Sequence, residues 1–408
     1  MKRYLFQLGR QRRLAQAELA AYLQRKHIQY VPTWAHDVAI IETADDLGDP
    51  QKVLNQLGGT IKIIELESPI PITASLSDTI RQLMKATAVT TKYLLSERTR
   101  WTYGVSLYAP SIPKSEQRQL ITVAKDMGMD LKRYLKSRNI GSRFVAVRGR
   151  DAALSSVVVR KNGLLRPENT EIVIYLEEKV AARGKTIAVQ DFEAYGARDH
   201  GRPAREARIG SLPPKLAQIM INLAKVPEGG KIHDPFVGIG TILQEAWLMG
   251  YQATGSDNDK EQVDNTRANM QWLNKMYDLE LPDMIAWQAE AGQLDIPEGT
   301  IDAFITEGTL GPPVSRPYSR PDAVRVLSSL EKLWRETLVQ MKHSLKSSGS
   351  VLCIWPIFTL DDGSELSLNL FDELPSLGYR LVTKELDLLR YQRPDQVVKR
   401  QILQLAKR

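Results

Sequence analysis

Residues 231–246, KIHDPFVGIGTILQEA, constrain the fold more than any other stretch of this chain. A short lead-in of Lys231, Ile232 and His233 reaches an acid, Asp234. A small-residue turn with Gly238 and Gly240 two apart then precedes a helix-like run from Thr241 to Ala246. A strand that ends in a glycine turn and opens a helix belongs to an alternating α/β sheet. It also brings backbone N–H groups and a helix N-terminus to a ligand. Glycine is required because a residue without Cβ lets the chain bend tightly and a ligand approach the backbone. The dinucleotide pattern G-x-G-x-x-G would need a third glycine where Leu243 stands, and it has no leading Asp-Pro-Phe, so the turn argues against a nicotinamide cofactor.

Downstream, apolar runs predict strands over 252–255, 284–288, 301–306 and 351–355, separated by helical periodicity over 261–276 and 322–345. Runs over 379–385 and 401–406 read as a closing antiparallel pair. Strands alternating with helices predict a parallel, doubly wound sheet, whose ligands bind beyond the carboxyl ends of the strands. The polar residues at successive strand ends are Asp234, Asp257, Glu290 and Glu307. Asp257, at the end of the second strand, suits a ribose diol; Glu290 suits an adenine amine; Asp234 suits the ligand's charged centre. Each could equally be a helix cap or turn former, but four in sequence at the right elements favour a site.

The front of the chain differs in character. Formal charge is +12 over residues 1–210 and −5 over 211–408. Residues 131–150 hold Lys132, Arg133, Lys136, Arg138, Arg143, Arg148 and Arg150 with no acid. This clustering predicts a surface for a phosphate backbone on the end of a long helix (115–137) and the strand after it (143–147). Two α+β segments are expected, over 1–66 and 76–190, with the Pro-bearing stretch 67–75 as a linker and strands at 4–8, 38–41, 60–66, 103–108, 171–177 and 186–189. An apolar run at 154–160 is left without a type. Ser211 is expected to cap a helix reaching Ala224. One cysteine, Cys353, excludes an internal disulfide. The scattered histidines show no metal spacing, so no metal is expected. No run approaches a membrane span and the N-terminus lacks an uninterrupted apolar region, so the expected location is the cytoplasm.

With these residues in hand, DPFVGIGTILQEA resembles the first motif of class I S-adenosylmethionine-dependent RNA methyltransferases, Asp-Pro-Phe-Cys-Gly-Ser-Gly-Thr. The likeness is strongest to the THUMP-domain group that includes the archaeal and eukaryotic tRNA guanosine-10 N2-methyltransferases. RPAREARIGSLPPKLAQIMINLA, GSDND and RYQRPDQVVKRQIL extend the likeness, and YGVSLY and KTIAVQD carry it into the front half. It implies a Rossmann-like methyltransferase domain over 211–408 with a seven-stranded, mostly parallel sheet. Ahead of it would stand a ferredoxin-like domain over 1–66, a THUMP RNA-binding domain over 76–190 and a linker over 191–210. The implied cofactor is S-adenosylmethionine, held by Asp234, Phe236, Gly238, Gly240, Thr241, Asp257, Asn258, Glu290 and Ala291. The implied partner is RNA, most naturally tRNA, and the implied reaction is methylation of a guanine exocyclic amine. Amino-methylating members carry Asp or Asn, then Pro-Pro and an aromatic, at the fourth strand end. Here that segment reads Glu307-Gly308-Thr309-Leu310, so Glu307 is the catalytic candidate and Tyr318 or Tyr195 the candidate stacking ring. The competing expectation is a non-catalytic RNA-binding protein that keeps the methyltransferase fold.

Overall fold

The structure is a computed structural model. It describes residues 1–94, 100–149, 151–205, 212–382, 389–392 and 396–408, with the backbone alone at 88–94 and 100. The front elements are β1 (Lys2–Leu8), α1 (Arg12–Arg25), β2 (Tyr30–Ala35), β3 (Val38–Thr43), α2 (Pro50–Asn55), β4 (Thr60–Leu66), β5 (Ile70–Pro71), α3 (Leu76–Leu94), β6 (Arg100–Tyr108), α4 (Lys114–Ser137), β7 (Gly141–Val145), α5 (Ser156–Lys161), β8 (Thr170–Leu176) and β9 (Val180–Val189). After them come α6 (Phe192–Gly196), α7 (Pro214–Ala224), β10 (Lys231–Asp234), α8 (Thr241–Leu248), β11 (Gln252–Asp257), α9 (Lys260–Tyr277), β12 (Ala286–Gln288), β13 (Ile301–Thr306), α10 (Arg320–Ser344), β14 (Leu345–Thr359), β15 (Glu365–Ser367), β16 (Tyr379–Leu381), β17 (Arg390–Tyr391) and β18 (Val398–Lys407).

The chain divides into two compact units, and the division does not follow the chain strictly. The first holds Met1–Arg12, Lys26–Asn55 and Thr60–Phe192; the second holds Arg13–Arg25, Gln56–Gly59 and Glu193–Arg408. Within the first unit the described strands form one sheet in the order β2-β3-β1-β4-β9-β8-β6-β7, with β5 beside β9. Residues 1–66 and 76–190 therefore share a continuous sheet, joined where Lys62–Leu66 of β4 pairs antiparallel with β9. Beneath that seam Lys62 donates from Nζ to Glu171 Oε1 at 2.8 Å and to the Leu154 carbonyl at 2.6 Å, with both charged side chains fully buried. Two local expectations change, and one apolar run takes a definite type. Ile70–Pro71, in the stretch read as a linker, adds to the sheet. The apolar run at 154–160 becomes largely the helix α5, capped by the Ser155 hydroxyl. The strand expected at 143–147 runs instead over Gly141–Val145. Strand β2 escapes sequence reading because it is an edge strand with Pro32 in it and no apolar alternation, and it stays exposed along Val31–Trp34.

The second unit is built on the sheet order β12-β11-β10-β13-β14-β18-β16, with β15 on β14 and β17 on β18. The pairs from β12 to β14 are parallel, and β18 runs antiparallel between β14 and β16. Side chains alternate across the sheet. On one face Ile305, Leu352, Ile354 and Ile402 pack with Met220, Leu243 and Met270. On the other, Phe304, Val351, Cys353 and Trp355 meet Trp334, Leu338 and Met341 of α10. Burying each such side chain contributes about 1.5–3 kcal/mol. Helix α7 starts at Pro214 with Pro213 in the cap position; Ser211 and residues 383–385 of the strand expected at 379–385 lie outside the described residues. Register sets the site. Asp234 stands beside Gly255 and Asp257 beside Gln288, so the carboxyl ends of the parallel strands open on one edge.

Candidate active site

Strand β10 delivers Asp234 to this edge with almost no exposure. Its Oδ1 accepts the Phe236 N–H at 3.1 Å, and the Thr306 hydroxyl bonds it from the next strand. Burial lifts the carboxyl to about 7, and the neighbouring Asp257 and Glu307 charges push the same way. One residue earlier, His233 is buried between Thr254 and Ser256, at 3.0 and 3.2 Å, under the Trp287 ring. Burial drives its imidazole down to about 3, so it is a neutral core residue.

The turn after Asp234 closes on backbone geometry. Gly238 donates its N–H to Asp257 Oδ2 at 3.0 Å and accepts the Thr266 hydroxyl at 2.6 Å. Gly240 caps α8 with φ +82°, and a Cβ there would meet Thr266 Cγ2 at 2.9 Å. Asp257 also accepts the Asp259 N–H at 3.1 Å, and its partial burial raises its carboxyl above the usual range. Asn258 lies 3.5 Å from Glu290, which is exposed.

These groups surround a cavity of about 400 Å³. Asp234, Phe236, Gly238, Thr241, Asp257, Asn258, Glu290, Ala291 and Glu307 all line it. Gly240 does not; it turns the chain behind the wall. The four acids named at successive strand ends thus converge on one space, and a carboxylate cluster of this kind favours a cationic ligand. Among the described residues no group of three or more His, Cys, Asp or Glu side chains is placed to hold a metal ion.

Sequence reasoning missed Arg400, Gln262 and Leu333 on the same cavity. Arg400 matters most. Reaching from β18, its Nε donates to Glu307 Oε1, and its Nη1 donates to Gln396 Oε1 at 2.6 Å. The Arg400 side chain is 3% exposed and that of Glu307 19%. Arg400 lies in the RYQRPDQVVKRQIL segment that carries part of the family likeness.

The loop after Glu307 takes a path that prolines cannot follow. Gly308 has φ +66°, while proline is held near −65°. A Cβ at Gly308 would also strike Trp334 Cζ2 at 2.5 Å. The expected stacking rings are elsewhere. Tyr318 is buried against Phe358, at 4.5 Å between centroids, and its hydroxyl bonds the Pro312 carbonyl. Tyr195 is buried, hydrogen-bonded to Gln218 and flanked by Arg198 and Lys215. The aromatic ring that does line the cavity is Phe236, braced by Trp334 at 5.7 Å.

In the first unit, Lys132, Arg133 and Lys136 lie on α4, Arg138 caps it, Arg143 is on β7 and Arg148 follows; all six are exposed, and Arg150 lies outside the described residues. Arg133 pairs with Asp130, and Arg143 donates to Asn162 at 3.1 Å. Among the described residues no helix is long and apolar enough to cross a membrane.

Comparison with known proteins agrees with this architecture. Residues 202–357 match the family described as RMKL-like, methyltransferase domain. The tRNA (guanine(10)-N2)-dimethyltransferase of Methanothermobacter thermautotrophicus is 35% identical over 158 residues, 39% of this chain and 41% of that protein. Its namesake from Pyrococcus abyssi is 26% identical over 183 residues, 42% of this chain and 51% of that protein. The chain thus matches about half or less of the length of these curated relatives. The crystal structure of TrmN from Thermus thermophilus superposes with a TM-score of 0.52 at 16% identity, covering all of both chains, a likeness of fold. The glycine turn and the four acids Asp234, Asp257, Glu290 and Glu307 all lie within residues 202–357, the stretch that matches the RMKL-like methyltransferase domain.

Proposed function

We propose that this chain is a cytoplasmic RNA methyltransferase that uses S-adenosylmethionine to methylate a base amine, the exocyclic amine of a guanine in tRNA. The observation that carries the reading is the convergence of Asp234, Asp257, Glu290 and Glu307 on one cavity beside a glycine turn. Those residues fit S-adenosylmethionine: Asp257 would hold the ribose diol, Glu290 the adenine amine, Asp234 the ligand's positive charge, and Phe236 an apolar wall. When bound, the cofactor supplies an activated methyl group on a sulfonium. Glu307 would accept a hydrogen bond from the base amine and orient its lone pair, and orientation of that kind supplies much of the rate. An extruded base would stack on Phe236. The first unit, read as ferredoxin-like and THUMP domains, would hold the RNA backbone through the basic run on α4 and β7. The names of the curated relatives support tRNA as the substrate.

A second reading, an RNA-binding protein without catalysis, draws on the Gly308 conformation and on the capture of Glu307 by Arg400. Labelled methyl transfer to unmodified tRNA, followed by nucleoside mass spectrometry, separates the two. Catalysis predicts methylated guanosine, with Glu307→Ala slower by about 100-fold or more. Cofactor binding by calorimetry with no transfer to any RNA favours the second reading.

A further inference from the structure

We propose that Arg400 is a positioning residue that holds the Glu307 carboxylate by a side-chain bond reaching from β18. This inference rests on the methyl-transfer reading of the cavity. Glu307 has one more rotatable bond than aspartate, and the residue after it is a glycine at φ +66°. Such a group loses appreciable conformational entropy when fixed, so something must restrain it. The loop does so only partly, through the Gly308 N–H on the Thr306 hydroxyl at 3.1 Å. The restraint on the carboxylate itself comes from two strands away. Arg400 stands opposite Pro356 of β14, and β14 lies between β18 and the β13 strand that ends beside Glu307. Two ladder spacings of about 4.8 Å separate the backbones, a gap that two long side chains close by meeting midway. The guanidinium is itself fixed: Gln396 accepts from Nη1 at 2.6 Å, and Cζ lies 5.9 Å from the Tyr391 centroid. A cation so buried is stable only with its carboxylate in place, so each charge fixes the other. Oε1 of Glu307 is taken by the guanidinium, which leaves Oε2 for a substrate amine.

The test is a double-mutant cycle on the full chain, with methyl transfer to unmodified tRNA measured for wild type, Glu307→Ala, Arg400→Gln, Arg400→Lys and the Glu307→Ala/Arg400→Gln double variant. Positioning predicts that Arg400→Gln lowers kcat about 100-fold with the KM for RNA changed less than about threefold. It predicts that Arg400→Lys regains at least about tenfold of that loss, and that the double variant is no slower than Glu307→Ala alone. A kcat for Arg400→Gln within about threefold of wild type, or losses that multiply in the double variant, overturns it. Hydrogen exchange by mass spectrometry supplies a readout that needs no turnover. Arg400→Gln should speed exchange at 308–311 while 237–241 stays unchanged; no change at 308–311, or a rise throughout the second unit, overturns the proposal. If the wild type transfers no methyl group, the methyl-transfer reading fails, and the exchange pattern alone decides whether Arg400 holds the loop.

Discussion

Asp234 is the residue at which burial and ligand charge oppose each other most directly. Burial pushes its carboxyl up to about 7, against the lowering effect of the Thr306 hydroxyl and Phe236 N–H that donate to it. The folded protein therefore keeps a proton that the unfolded chain releases near pH 4. The stability this provides is complete below about pH 4 and is lost as pH rises through about 7. Binding of a cation runs the other way, since it favours the ionised acid. The affinity for S-adenosylmethionine should rise between about pH 6 and about pH 7 by up to tenfold, and Asp234→Asn should flatten the rise. Calorimetry at those two pH values checks this, and an equal rise in the variant would exclude Asp234. The Glu18 carboxyl of α1 is likewise pushed up to about 7 by burial, but three donors fully engage it. It accepts from Gly58 and Gly59 N–H groups at 2.8 Å and from Asn222 at 2.9 Å, so its role is structural.

At the level of elements, the buried pair between β4 and β8 shows how two segments of the chain become one sheet. Lys62 and Glu171 lie 109 residues apart, and the Ser106 and Thr186 hydroxyls complete the carboxylate's bonds. Removing one partner strands a charge in the core. Lys62→Met should cost about 3–5 kcal/mol, and adding Glu171→Leu should recover a large part of it. Urea unfolding of the first unit reads both; a loss below about 1 kcal/mol for the single variant would mean that water reaches the pair. Helix α1 makes a related point within the second unit, where Leu14 and Ala21 join the core formed by α7 and α8. A fragment that begins near residue 193 would lack this cover.

For the whole molecule the uneven charge is the dominant property, +12 over residues 1–210 against −5 over the remainder. If the α4 and β7 run follows a phosphate backbone, RNA affinity should fall steeply with salt. Replacing Lys132, Lys136 and Arg148 by alanine should lessen the log–log slope by about one for each phosphate that is no longer neutralised. Filter binding of tRNA at about 50 and about 200 mM salt measures it; an unchanged slope would move the RNA to another face.

The strand–turn–helix at 231–246, the alternation of strands and helices behind it, and the acids at the strand ends were all legible in the sequence. Each is encoded within a few residues, by apolar period and by glycine. The line of acids also survived translation into one cavity, because parallel strands in register must end on the same edge. Other features depended on packing between distant segments. The pairing of β4 with β9, the grouping of α1 with the second unit, the burial of Tyr318 and Tyr195 away from the cavity, and the bond from Arg400 to Glu307 are of this kind. Nothing local marks Arg400 among 55 basic residues as the one that reaches Glu307. That choice was made by strand order, which sets β18 beside β14, and by the cost of leaving either charge alone in a buried place.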